Sequence, residues 1–216
     1  MKIVLATSNP HKIEELDAIF RDLGLRSIEL LSLSQAAGGR PLTEPAETGT
    51  TFEANATIKA LSYASQMNAV CLADDSGIEI DALGGRPGVI SSHYCTDGRE
   101  EGMTRAQRDT ANNARVMREL AGVKAVERSA RFVCVMALAF PGEASPRALV
   151  RGTFEGRIGL ENQVPRGENG FGYDPLFLVP PEFEITAAQL AADRKNTLSH
   201  RAAAARKLAT ALNSMR

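Results

Sequence analysis

The first two dozen residues constrain the fold most tightly. Lys2–Ala6 (KIVLA) is a short run of β-formers, apolar after Lys2. A strand there carries apolar side chains on both faces, so it must be buried in a sheet covered on both sides. Thr7-Ser8-Asn9-Pro10 follows. Asn9 suits an N-cap and Pro10 the first helical position. Ile13, Leu16, Ile19, Phe20 and Leu23 then recur at helical spacing up to Gly24, which predicts one amphipathic helix with a glycine stop. A doubly buried strand feeding a one-faced helix points to an α/β architecture.

The rest of the chain extends that pattern. Ser27–Leu33 predicts a second strand, and the Gly-, Pro-, Thr- and Glu-rich segment Ser34–Gly49 a long loop. Thr51 is placed to cap a helix with Phe52, Ala56, Ala60, Tyr63, Ala64 and Met67 on one face. Val70–Ala73 reads as a strand that ends in Asp74-Asp75-Ser76-Gly77, after which Ile78 and Ile80 alternate. Gly84–Gly88 predicts a turn, Thr96–Arg105 an exposed segment and Thr104–Leu120 a polar helix before Gly122. Ala130–Phe140 and Ala148–Phe154 predict a hairpin turned by Pro141-Gly142. Leu176–Val179 is apolar, Thr186–Ala192 predicts a short helix, and Ser199 caps a last one with Ala202, Ala205, Leu208, Ala209 and Leu212 inside. Strands and helices mix around a meander-like centre, so the sheet is expected to be mixed.

Composition narrows the partners. The net charge of −1 supplies no basic field for a nucleic-acid polymer. Cys71, Cys95 and Cys134 are widely spaced with no CxxC pattern, which argues against structural zinc. Two of them lie in apolar runs as small core residues, and a reducing cytoplasm is the expected compartment. No membrane-length apolar stretch or signal-peptide core is found. The 216 residues suit one large domain or two closely joined lobes.

Five groups carry the chemistry. The polar turn Thr7–Lys12 opens a helix whose free N–H groups and dipole favour an anion, and Lys12 at the third helical position lacks the negative charge such an end prefers. The alternative is a plain cap with Lys12 in solvent. Glu47 alone reads as a solvated loop acid. Asp74 and Asp75 repel each other, so a divalent cation or basic neighbour would relieve them, or Asp-Ser-Gly is simply a turn. Around Gly167–Pro175, glycines permit close backbone approach, and Phe171 and Tyr173 offer faces for a planar base unless they fill the core. Lys195, His200 and Arg201 place positive groups where an acceptor-rich ligand would use them, with a surface His as the alternative.

Taken in order, ATSNPHK (6–12), TGTTFEANATIKA (48–60), ADDSG with LGGRPG (73–77, 83–88), ARF (130–132), GFGYDP (170–175) and SHR (199–201) resemble the inosine triphosphate pyrophosphatase family, the dITP/XTP diphosphatases, over nearly the whole chain. The resemblance implies a single catalytic domain over 1–216, with an elongated mixed sheet flanked by helices and two lobes with a cleft between them. It implies Mg²⁺-dependent hydrolysis of ITP, dITP and XTP to monophosphate and pyrophosphate, and a cytoplasmic homodimer with no membrane or nucleic-acid partner. By position, Thr7, Ser8, Asn9, Pro10, His11 and Lys12 match the phosphate loop, and Glu47 and Asp75 the acids associated with Mg²⁺, with Asp74 beside them. Asp75 also matches the proton acceptor for water. Ser76 matches a substrate contact, and Phe171, Gly172, Tyr173 and Asp174 the segment against the base. Lys195, His200 and Arg201 match residues around base and sugar. The loops around 34–49 and 96–108 are longer than in compact members, and Ser8 stands where Gly is common.

Overall fold

The computed structural model describes residues 1–7 and 9–214; Ser8 lies outside the described residues, as do the side chains of Pro10 and His11. Six strands form one mixed sheet in the order β2-β1-β3-β4-β5-β6. β1 (Lys2–Leu5) is parallel to β2 (Glu29–Ser32) and to β3 (Cys71–Ile80). β4 is Ser129–Ala139, and β5 (Ala148–Ile158) is antiparallel to β6 (Phe177–Leu178). The expected α/β class and mixed sheet are observed. The chain divides into two compact units, each assembled from separate stretches: Met1–Asp75, Cys134–Gly152 and Ser199–Arg216 in the first, Ser76–Val133 and Thr153–Leu198 in the second.

In the first unit, Ile3, Leu5, Leu72, Met136 and Leu138 pack with Leu16, Ile19 and Phe20 of α1 (Pro10–Asp22) and with Ala204, Ala205 and Leu208 of α6 (His200–Ser214). Burying each Leu, Ile or Phe contributes about 1.5–3 kcal/mol. The buried α1 residues are among those at helical spacing in the sequence. α3 (Phe52–Met67) buries the whole expected face and adds Asn55. Thr51 Oγ1 accepts the Ala54 N–H at 3.1 Å, and Ser199 Oγ accepts the Ala202 N–H at 3.1 Å, so both predicted caps form. β5 meets the first turn of α6 at Gly152, where a Cβ would run into backbone atoms of His200, Ala203 and Ala204. That contact fixes the turn carrying His200 and Arg201.

In the second unit, Ile78, Ile80, Phe132, Phe154 and Phe177 pack with Val116 and Leu120, the former on α4 (Arg105–Glu119). Thr104 caps α4 in a reciprocal box with Gln107. Cys71 and Cys134 are buried as expected, and burial pushes the Cys71 thiol up to about 12. Among the described residues no helix is long and apolar enough to cross a membrane.

Three expectations give way. β3 does not stop at Ala73 but runs through Asp74-Asp75-Ser76-Gly77 to Ile80. Sheet pairing overrides the local turn preference of Asp, Ser and Gly. Gly77 serves close approach instead, since a Cβ there would collide with Ser91 and lie 2.7 Å from the Gly88 carbonyl oxygen. The long loop contains a short helix, α2 (Leu33–Ala37), begun by a Ser32–Gln35 capping box and closed by left-handed Gly38. The helix expected over Thr186–Ala192 is a single tight turn, Ala187–Gln189, and the chain instead forms α5 (Ala192–Leu198).

Candidate active site

Successive strand residues point to opposite faces, so Asp74 and Asp75, neighbours in sequence, meet different partners. Asp74 Oδ2 lies 3.0 Å from Lys12 Nζ and 3.5 Å from Arg201 Nε. Arg201 also donates to Glu15 Oε2 at 2.8 Å. The Asp74 side chain is 1% exposed and that of Arg201 2%. Burial pushes the Asp74 carboxyl up, but Lys12, Arg201 and Lys59 outweigh it and hold the group well below the usual carboxylate range. Burial likewise works against the Arg201 cation, and Glu15 and Asp74 overcome it. Asp74 thus supplies the negative charge that Lys12 lacks within the first turn of α1.

Asp75 faces Lys59, on α3. The Lys59 ammonium donates to Asp75 Oδ1 and to Glu47 Oε2, both at 3.1 Å. Glu47 is brought there by the loop before α3, where the Gly49 N–H donates to Asn55 Oδ1 at 2.8 Å. A Cβ on Gly49 would sit 2.6 Å from both Ala54 Cβ and Asn55 Oδ1, so only glycine allows this seating. Burial works against the Lys59 charge, but Asp75, Glu47 and Asp74 outweigh it and raise the group. Asp75 is also raised, chiefly by burial and with help from Glu47, against the pull of Lys59 and Lys12. Lys59 thus feels three acids, whereas the two ammonium groups near Asp75 do not offset its burial. Asp75 is therefore a stronger base than an ordinary aspartate.

Lys59 escaped the sequence reading. It stands within TGTTFEANATIKA, but a single Lys on an amphipathic helix carries no signal until the strand opposite it is placed.

The structure separates the three proposed metal acids. Among the described residues no three His, Cys, Asp or Glu side chains converge on one point. Asp75 Oδ2 and Asp74 Oδ1 are both buried and find no hydrogen-bond partner among the described residues. Asp75 and Glu47 already share one cation and keep an open oxygen. That donor set fits Mg²⁺, which takes one or two carboxylates alongside phosphate oxygens and water. Asp74, on the other face, is taken up by Lys12 and Arg201.

The other sequence candidates fall as follows. Thr7 Oγ1 accepts the Asn9 N–H at 3.2 Å, closing the polar turn before α1. His200 is buried in the first turn of α6, and Ser76 is partly buried on β3. In the second unit, Asp174 Oδ2 accepts the Phe171 N–H at 2.9 Å and the Lys195 ammonium at 2.6 Å. Gly170 has φ +79°, and a Cβ there would collide with Asp174 Oδ2 and approach Lys195 Nζ to 2.7 Å. Lys195 Nζ also stands 5.4 Å from the centroid of the Phe171 ring. Phe171, Gly172, Asp174 and Lys195 thus form one local group. Tyr173 takes the core alternative: it is 4% exposed, and its hydroxyl donates to the Ser91 carbonyl at 2.7 Å.

Comparison with known proteins supplies the family. A sequence model of the Ham1 family matches residues 3–211. The chain is 46% identical over 208 residues to a dITP/XTP pyrophosphatase of an Exiguobacterium species, covering 96% of this chain and 95% of that one. It is 45% identical over 206 residues to a dITP/XTP pyrophosphatase of Nitratidesulfovibrio vulgaris, covering 95% and 93%. Among solved structures, a HAM1 protein from Coxiella burnetii superposes with a TM-score of 0.80 at 39% identity, over 99% of each chain.

Proposed function

The chain belongs to the Ham1 family, and on that premise we propose that it hydrolyses non-standard purine nucleoside triphosphates (ITP, dITP and XTP) to the monophosphate and pyrophosphate, which keeps deaminated purines out of DNA and RNA. The observation that carries this reading is the pair of cation–carboxylate clusters on the two faces of β3. One is Lys12–Asp74–Arg201 and the other Lys59–Asp75–Glu47. We read the whole chain as one catalytic domain acting as a cytoplasmic homodimer, with no nucleic-acid polymer or membrane as partner.

Phosphoryl transfer is governed mainly by positioning and charge stabilisation. Lys12 and the backbone N–H groups of the α1 N-terminus, with Thr7, Ser8, Asn9, Pro10 and His11, receive triphosphate oxygens. Asp74, held ionised, keeps the Lys12 ammonium in place. Asp75 orients a water toward the α-phosphorus and takes its proton as the new P–O bond forms and the bond to the β-phosphate oxygen breaks. Lys59 steadies Asp75 and Glu47. Glu47 and Asp75 would hold Mg²⁺, which would supply neutralisation of phosphate charge. Ser76 follows Asp75 on β3 as a substrate contact.

The purine stacks on Phe171, with Gly172 and Asp174 shaping the loop. Lys195 and His200 present donors to keto oxygens, and Arg201 acts by fixing Asp74. Adenine carries a donor at position 6 where the keto purines carry an acceptor. A site built of donors rejects it by leaving its own groups unpaired.

A nucleotide panel with Mg²⁺ and pyrophosphate detection tests the assignment. ITP, dITP and XTP should be cleaved well ahead of ATP and GTP, and chelation of the metal should abolish turnover. Preference for a modified pyrimidine or guanine nucleotide would point to Maf-like specificity. Binding without product release would mark a regulatory nucleotide-binding module. Lys12→Ala is expected to raise KM for ITP by roughly 10–100-fold, the loss of one or two charge-assisted contacts. Its kcat should change less, and an unchanged KM would remove Lys12 from the phosphate site.

A further inference from the structure

One face of α4 runs along the loop that carries Phe171. Arg105, Asp109 and Asn113 stand four residues apart and so share that face. Asp109 Oδ2 accepts the Gly172 N–H at 3.0 Å, and Asn113 Nδ2 donates to the Gly172 carbonyl at 3.0 Å. Both backbone groups of the residue after Phe171 are thereby fastened to the helix. The third member, Arg105, holds its guanidinium 4.6 Å from the centroid of the Phe171 ring.

Structural duty does not account for Arg105. It is the first residue of α4, and the helix has no acidic side chain in its first turn. A cation there opposes the helix dipole. Asp109 is 3.9 Å away, with the Arg105 side chain 40% exposed, and an exposed pair of that length adds little. What Arg105 contributes is a flat, charged cover on the ring.

We propose that Arg105 is a base-binding residue of the purine site, moving outward as the base enters and then stacking on the base face turned away from Phe171. The proposal rests on the reading that the purine stacks on Phe171, and it adds the second wall. A guanidinium suits the part because it is planar, always charged and stacks on aromatic faces, whereas an ammonium is a point charge. The fastening of Gly172 by Asp109 and Asn113 keeps loop and helix in register, so Arg105 remains opposite the ring when the base is between them.

The test compares Arg105→Ala, Arg105→Lys and Phe171→Ala, reading KM and kcat for ITP and the inhibition constant of inorganic tripolyphosphate, which carries no base. Arg105→Ala should raise KM for ITP about three- to tenfold, leave kcat within about twofold and leave tripolyphosphate inhibition unchanged. Arg105→Lys should recover only a minor part of the loss. An unchanged KM in Arg105→Ala, with KM raised in Phe171→Ala, overturns the proposal while the stacking reading stands. An unchanged KM in Phe171→Ala overturns both. Equal weakening of ITP and tripolyphosphate, or full recovery by Arg105→Lys, reduces Arg105 to a general charge and likewise overturns it.

Discussion

Asp75→Asn is expected to lower kcat for ITP by about 10²–10⁴-fold, the usual worth of a positioned acid–base group, while the protein stays folded. The substitution keeps shape and an oxygen that accepts from Lys59, and Lys59 retains Glu47. What it removes is the basic oxygen, a buried carboxylate oxygen that no group among the described residues uses. Burial raises the Asp75 carboxyl above its ordinary value. A group raised in the folded state adds most stability below its unfolded pKa, and that contribution fades as pH rises through the folded value. At neutral pH ionised Asp75 is therefore a stability cost, and in metal-free buffer the Asn variant should melt at the same temperature or higher. Steady-state pyrophosphate release with a thermal melt reads both halves. Near-normal kcat would remove Asp75 as the base.

Much of the fold was legible because it is local. The faces of α1, α3 and α6 follow from spacing along single segments, and the caps at Thr51 and Ser199 from one residue and its successors. The short helix α2 was missed because the Gly- and Pro-rich composition of Ser34–Gly49 reads as loop, whereas the helix is begun by the Ser32–Gln35 capping box. Asp74-Asp75-Ser76-Gly77 was misread for a different reason. Its turn preference is local, whereas its strand conformation is set by neighbouring strands far away in sequence.

The same distance hid half of the candidate site. Resemblance placed Lys12, Glu47, Asp75 and the Phe171 loop, yet it did not divide the labour of the adjacent aspartates. That division comes from the pleat, which a turn lacks. Lys59 became visible only when α3 was set opposite β3. Arg201 looked like a donor for a ligand until Glu15, 186 positions earlier, came into contact with it. Arg105 was part of a segment that reads simply as exposed and charged.

The pleat also predicts opposite consequences for the two neighbours. Asp74→Asn should destabilise the protein by about 3–5 kcal/mol, the usual cost of removing one member of a buried ion pair. Lys12 and Arg201 both approach the same Asp74 oxygen, and the Arg201 side chain is 2% exposed. Without that charge, a buried guanidinium that Asp74 and Glu15 together balance loses one of its two carboxylates. Lys12 loses the counter-charge that fixed it within the first turn of α1, so KM for ITP should rise as well. Urea midpoints of the two Asn variants, measured side by side, decide the matter. Asp74→Asn should unfold at clearly lower denaturant and Asp75→Asn near the parent protein. Equal midpoints would mean that Asp74 does not hold the buried cations. Stability would then have to come from Glu15 and helix packing, leaving Asp74 available to act with Asp75 on the metal.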